Sequence, residues 1–113
     1  MDLRTDVVIR GRYSETTDAL REYALRRLSF AVRRLRHRLG HVTIRLTDLN
    51  GPRRGLDSRC SMTADLIDGR QLFVQATAAW PFTAITLAAG RLSEALRRTA
   101  DRHPARLPSS ASV

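Results

Sequence analysis

The chain has 113 residues, enough for one domain with a modest core. Its basic side chains are 20 arginines and no lysines against 11 carboxylates, a net charge of +9, and such an excess on a small domain predicts attraction to nucleic acid or an anionic surface. One cysteine excludes an intrachain disulfide framework, no apolar run is long enough to span a membrane, and the N-terminus lacks a secretory pattern, so a cytoplasmic setting is expected.

Residues 2–10 alternate, with Leu3, Thr5, Val7 and Ile9 on one side, and predict a half-buried strand. Gly11 ends it, and Ser14, Thr16 and Thr17 offer N-cap hydroxyls. Leu20, Ala24, Leu28, Ala31, Leu35 and Leu39 then form one stripe, which predicts a helix from Asp18 to Leu39 closed by Gly40. A second strand is expected over His41–Thr47, followed by a loop, DLNGPRRGLD. A third covers Arg59–Leu66 with Cys60, Met62, Ala64 and Leu66 inward. Asp68-Gly69 signals a tight hairpin into a fourth strand, Arg70–Thr77. Pro81 opens a second helix with an apolar stripe of Ala84, Ile85, Ala88, Leu92, Ala95 and Leu96, ending near Arg102. The tail 103–113 is Pro- and Ser-rich and is expected to be disordered.

The predicted order is β-α-β-β-β-α, an α+β fold with two helices on one face of a four-stranded sheet. On a helical wheel Arg27, Arg34 and Arg38 flank the first apolar stripe, and Arg26 and Arg33 form a second row with Tyr23 and Phe30 between. Arg91, Arg98 and Arg102 repeat the seven-then-four spacing on the second helix. The two rows predict a continuous basic face for a polyanion, and Phe30 could stack on a base. Tyr23 is expected to pack beside the stripe instead. Arg53 and Arg54, at the tip of the loop, are further candidate phosphate contacts, with a solvated turn as the alternative. A membrane-surface helix is disfavoured because the apolar face must cover the sheet. No helix-turn-helix or paired Cys/His zinc pattern is present, which favours RNA over DNA.

Catalysis is not expected. Cys60 falls at an inward strand position and reads as a buried thiol. His37 and His41 are four apart but separated by Gly40, so no metal site is expected. GPRRG lacks the Gly-Lys-Ser/Thr ending of a phosphate loop. No cofactor or small-molecule substrate is implied.

The segments TTDALREYALRRL, NGPRRGLDSRCSM and FTAITLAAGRL resemble the ribosome hibernation-promoting factor and ribosome-associated inhibitor family over residues 1–102. The resemblance implies a fold similar to a double-stranded-RNA-binding domain. It also implies binding to rRNA of the small ribosomal subunit, in the channel for messenger and transfer RNA, so that translation stops in the idle, stressed or stationary-phase cell. Arg21 and Arg27 match basic family positions of the first helix, and Arg91, Arg98 and Arg102 those of the second. Trp80-Pro81-Phe82 departs from the acidic cap and Met-Tyr common in the family, which places Trp80 at a contact-prone corner. Phe30 stands where lysine is frequent, and Glu94 where arginine occurs. A short form without the ribosome-dimerising domain, monomeric off the ribosome, is expected. The alternatives are a generic RNA-binding or ribosome-assembly protein, and a module binding an acidic regulator such as a sigma factor.

Overall fold

The structure, a computed structural model, describes residues 3–49 and 57–111, with side-chain surroundings for 3–13, 15–49 and 57–99. Four strands, β1 (Arg4–Arg10), β2 (Leu39–Asp48), β3 (Ser58–Leu66) and β4 (Gln71–Ala78), form one sheet in the order β1-β2-β3-β4. β1 and β2 pair in parallel, and the other pairs are antiparallel. Two helices, α1 (Thr17–Val32) and α2 (Pro81–Ala111), complete the β-α-β-β-β-α order. β4 therefore runs in the direction of β1, and helices folding back from each of them run parallel to one another.

The strand faces follow from their period of two. Val42, Ile44 and Leu46 of β2 and Cys60, Met62 and Ala64 of β3 are buried under the helices. Leu20, Ala24 and Leu28 of α1, and Ala84, Ile85, Ala88, Leu92 and Leu96 of α2, close the core from above. The alanines let α2 lie close to the sheet, and Leu92 and Leu96 fill the space between. Burial pushes the Cys60 thiol up to about 12, so it stays protonated and inert as a nucleophile. The Tyr13 hydroxyl shares a hydrogen bond of 2.7 Å with Ser58 Oγ, which satisfies the buried polar side chain of the β3 start.

The face away from the helices carries the alternate residues in register. Arg10, Thr47, Arg59 and Thr77 make one row; Val8, Arg45, Ser61 and Gln75 the next; Asp6, Thr43, Thr63 and Phe73 the third; Arg4, His41, Asp65 and Gln71 the last. His41 Nε2 lies 2.9 Å from Asp6 Oδ2, and its Nδ1 lies 3.7 Å from Asp65 Oδ2.

Three boundaries differ from the sequence reading. α1 stops at Val32 rather than Leu39, and the chain turns through Arg33–Leu35 into a 3-10 turn at Arg36–Arg38 before β2. The crossover explains this. A helix of 16 residues rises about 24 Å, matching the roughly 23 Å of a 7-residue strand, whereas a helix carried on to Leu39 would overshoot the start of β2. Gly40 is accordingly a residue of β2, at the register shift between Leu39 and His41, and not a helix cap. The Thr16 hydroxyl also turns back to the Tyr13 carbonyl instead of capping α1. Finally, helical backbone continues to Ala111, where an irregular tail was expected from 103.

Among the described residues, two glycines have positive φ. Gly69 (φ 95°) closes the β3–β4 hairpin, where Arg70 binds Asp68 through side chain and backbone and holds that carboxyl down at about 2. Gly11 (φ 126°) lies where the chain leaves β1 against the end of β2, and a Cβ there would stand 2.3 Å from Asp48 Cβ. Gly11→Ala is expected to cost at least about 2 kcal/mol through combined strain and overlap. Thermal unfolding should show a midpoint lowered by on the order of 10 °C.

Candidate nucleic-acid interface

The candidate interface lies on the solvent side of two parallel helices. Tyr23 sets their register: its hydroxyl shares a 2.6 Å hydrogen bond with Thr86 Oγ1, and its ring meets Phe82 edge-on at 5.2 Å. Tyr23 is thus a strut between helices, as expected. One and two turns further along α1, Arg27 and Phe30 follow Tyr23 on the side toward α2. There a groove of about 410 Å³ opens between the end of α1 and the middle of α2. Ala31, Leu35 and Leu96 form its apolar floor; Phe30, Arg33, Arg34, Ser93 and Arg97 form its walls.

Phe30 is 57% exposed and is held by cations. The Arg33 guanidinium sits 4.3 Å from the ring centroid and that of Arg27 5.5 Å away. Arg33 also donates to the Phe30 carbonyl at the helix end. Arg27 is half-buried, and its Nε is enclosed without a hydrogen-bond partner. Arg26 and Arg34 are exposed and make no ion pair among the described residues. The carboxylates of α1, Asp18 and Glu22, lie in its first half, so nothing on that helix offsets the arginines of its second half.

The remaining arginines of the sequence reading are placed differently. Arg21 donates to the Val7 carbonyl on the outer strand β1 at 2.9 Å, and Arg91 donates to the Gln75 carbonyl on the opposite outer strand β4. Both lie on the outer flanks of the helical layer, each with donors to spare. Arg98 lies 3.6 Å from Glu94, which also accepts from Arg97. An exposed pair of this kind is worth about 0–1 kcal/mol and still leaves a positive sum. Arg38 leaves the expected row altogether. With α1 ended six residues earlier, its carbonyl accepts from the Ile67 N–H, and its side chain lies against the β3–β4 hairpin with Leu66, Ile67 and Asp68. Arg34 is likewise on the turn after α1 rather than on the helix, but stays at the groove. Arg102 lies in α2, with its side chain outside the described residues, and Arg53 and Arg54 fall in the undescribed loop. Trp80 is 63% exposed; its carbonyl accepts the Ala84 N–H and so opens α2. His37 is exposed on the 3-10 turn, and the His41 ring is held by Asp6 and Asp65.

Arg97 lines the groove and was not among the arginines chosen from the sequence. Phe82, Thr86, Ser93 and Arg97 make the side of α2 that faces α1, a row spaced four, seven and four. The row chosen from the wheel, Arg91 and Arg98, faces the other way.

The Sigma 54 modulation protein / S30EA ribosomal protein family matches residues 7–103, nearly all of the folded chain. The chain belongs to this family. Its fold agrees with solved structures of similar topology. The N-terminal domain of Protein Y from Thermus thermophilus superposes with a TM-score of 0.61 at 24% identity, covering 87% of this chain and 98% of that one. A ribosomal subunit interface protein from Coxiella burnetii gives 0.70 at 17% identity with the same coverages. No curated protein is close enough in sequence to match the chain. Among the described residues of this S30EA-family domain, no helix is long and apolar enough to cross a membrane.

Proposed function

We propose that this S30EA-family chain is a ribosome-associated translation inhibitor that acts by occupancy. Its helical layer binds rRNA in the messenger- and transfer-RNA channel of the small subunit, in the cytoplasm, without cofactor or chemical step. A single domain, monomeric off the ribosome, suffices for such an action. The observation that carries the reading is the grouping of Arg33, Arg34 and Arg97 around the Phe30 groove, with no carboxylate in the second half of α1. A cationic rim over an apolar floor with an exposed ring suits phosphates and an unstacked base of a folded RNA. Family membership supplies the ribosome as the RNA in question.

The test is co-sedimentation with purified small subunits across a salt series. With roughly five to eight phosphates neutralised, affinity should fall by orders of magnitude between 50 and 200 mM salt. Messenger RNA with initiator tRNA should displace the protein from subunits. Preference for free RNA hairpins over subunits would instead identify a general duplex binder, and binding that survives ribonuclease would identify a protein partner.

A further inference from the structure

The open face of the sheet, on the side opposite the helices, is polarised. At one end Arg10, Arg45 and Arg59 stand on three successive strands, all exposed, with Thr47 between the outer two and Ser61 beside Arg45. Strand and residue spacings put Arg10 and Arg59 about 10 Å apart, and Arg45 about 8 Å from each. None of the three is ion-paired or hydrogen-bonded through its side chain among the described residues. At the other end, Asp6 and Asp65 are held by His41, and a single arginine, Arg4, stands beside them. The edge strand β4 adds Phe73, its ring 61% exposed and about 12 Å from Arg45 by the same spacings.

We infer that this face is a second nucleic-acid site that takes a short single-stranded RNA segment. The three guanidinium groups hold successive phosphates, the Thr and Ser hydroxyls between them accept or donate to the sugar-phosphate chain, and Phe73 stacks one base. A sheet that combines free arginines with an exposed ring is suited to splayed-out bases, whereas duplex RNA offers no unstacked base to the ring. Asp6 and Asp65 make the far end less attractive to phosphate than the three-arginine end, so the strand follows a diagonal path from Arg10 toward Phe73. An acidic protein would also meet the arginines, but it gives Phe73 nothing to stack on. The site is independent of the helical layer and lies behind it, so a domain using both faces is held between two RNA segments.

The experiment uses full-length protein in which Arg26, Arg33, Arg34 and Arg97 are changed to glutamine, which removes the helical rim. A fluorescently labelled single-stranded octaribonucleotide of mixed sequence is titrated and followed by anisotropy. Binding should persist, with a log–log salt slope near −2, about 0.7 for each of three phosphates. Adding Arg10→Gln, Arg45→Gln and Arg59→Gln should abolish it. Phe73→Ala alone should weaken it about tenfold or more without changing the slope. Absence of binding in the rim-neutralised protein overturns the inference. So does an unaffected Phe73→Ala variant whose RNA is displaced equally well by poly-glutamate, which marks the face as an acidic-protein surface. Small-subunit co-sedimentation of the wild-type protein, measured separately, reports on the helical layer and is not decided by either result.

Discussion

Replacing Arg26, Arg33, Arg34 and Arg97 together by glutamine should lower affinity for small ribosomal subunits roughly a hundredfold or more near physiological salt. The salt slope should become shallower by about 3. Arg33, Arg34 and Arg97 line the groove at Phe30, Arg26 is exposed on α1 one turn before Phe30, and none of the four supports the core. The cost to folding is therefore confined to the Arg33–Phe30 contact, of order 0.5–1 kcal/mol, and to an exposed ion pair with Glu94. Glu94 keeps Arg98 as a neighbour and is not left alone. An affinity equal to wild type, with the fold intact by circular dichroism, would mean the helical layer is not the ribosome-facing surface.

Leu92→Ala is expected to bring the largest loss of stability. Leu92 is fully buried under α2, where the flanking Ala88 and Ala89 have no side chain able to swing into the space it would vacate. Removing a leucine from such a site costs about 3–5 kcal/mol, a large part of the 5–15 kcal/mol typical of a domain this size. Urea unfolding should show the midpoint falling with the slope unchanged. Leu87→Ala, on the solvent side of the same helix and 43% exposed, is the matched control and should change stability by less than about 1 kcal/mol.

The strands were legible because their alternation is uninterrupted. Each inward position expected in β3, Cys60, Met62, Ala64 and Leu66, is buried. The β-α-β-β-β-α order followed from those strands and from Pro81, which opens α2. The end of α1 was not legible. Leu35 and Leu39 continue the spacing of Leu28 and Val32, and no glycine or proline marks the break. What ends the helix is the length of β1 and the need for β2 to begin beside it, a constraint between distant segments. That error carried Arg38 into the basic row and hid its place at the β3–β4 hairpin. A wheel also cannot tell which flank of a helix meets its neighbour. Arg91 and Arg27 share a spacing, but Arg27 faces the cleft while Arg91 reaches the carbonyl of Gln75. The groove thus draws on Arg97, which periodicity alone gave no reason to choose.

The bonds from Arg21 to Val7 and from Arg91 to Gln75 bear on how this protein behaves when crowded. A sheet that is not closed into a barrel ends in two outer strands, and each can recruit a strand from another molecule and grow into an aggregate. Here each outer strand has a carbonyl occupied by a guanidinium from the helix above it. A foreign strand would have to break that bond and bury the charge. The residue type that draws the domain toward polyanions also keeps its sheet from lengthening.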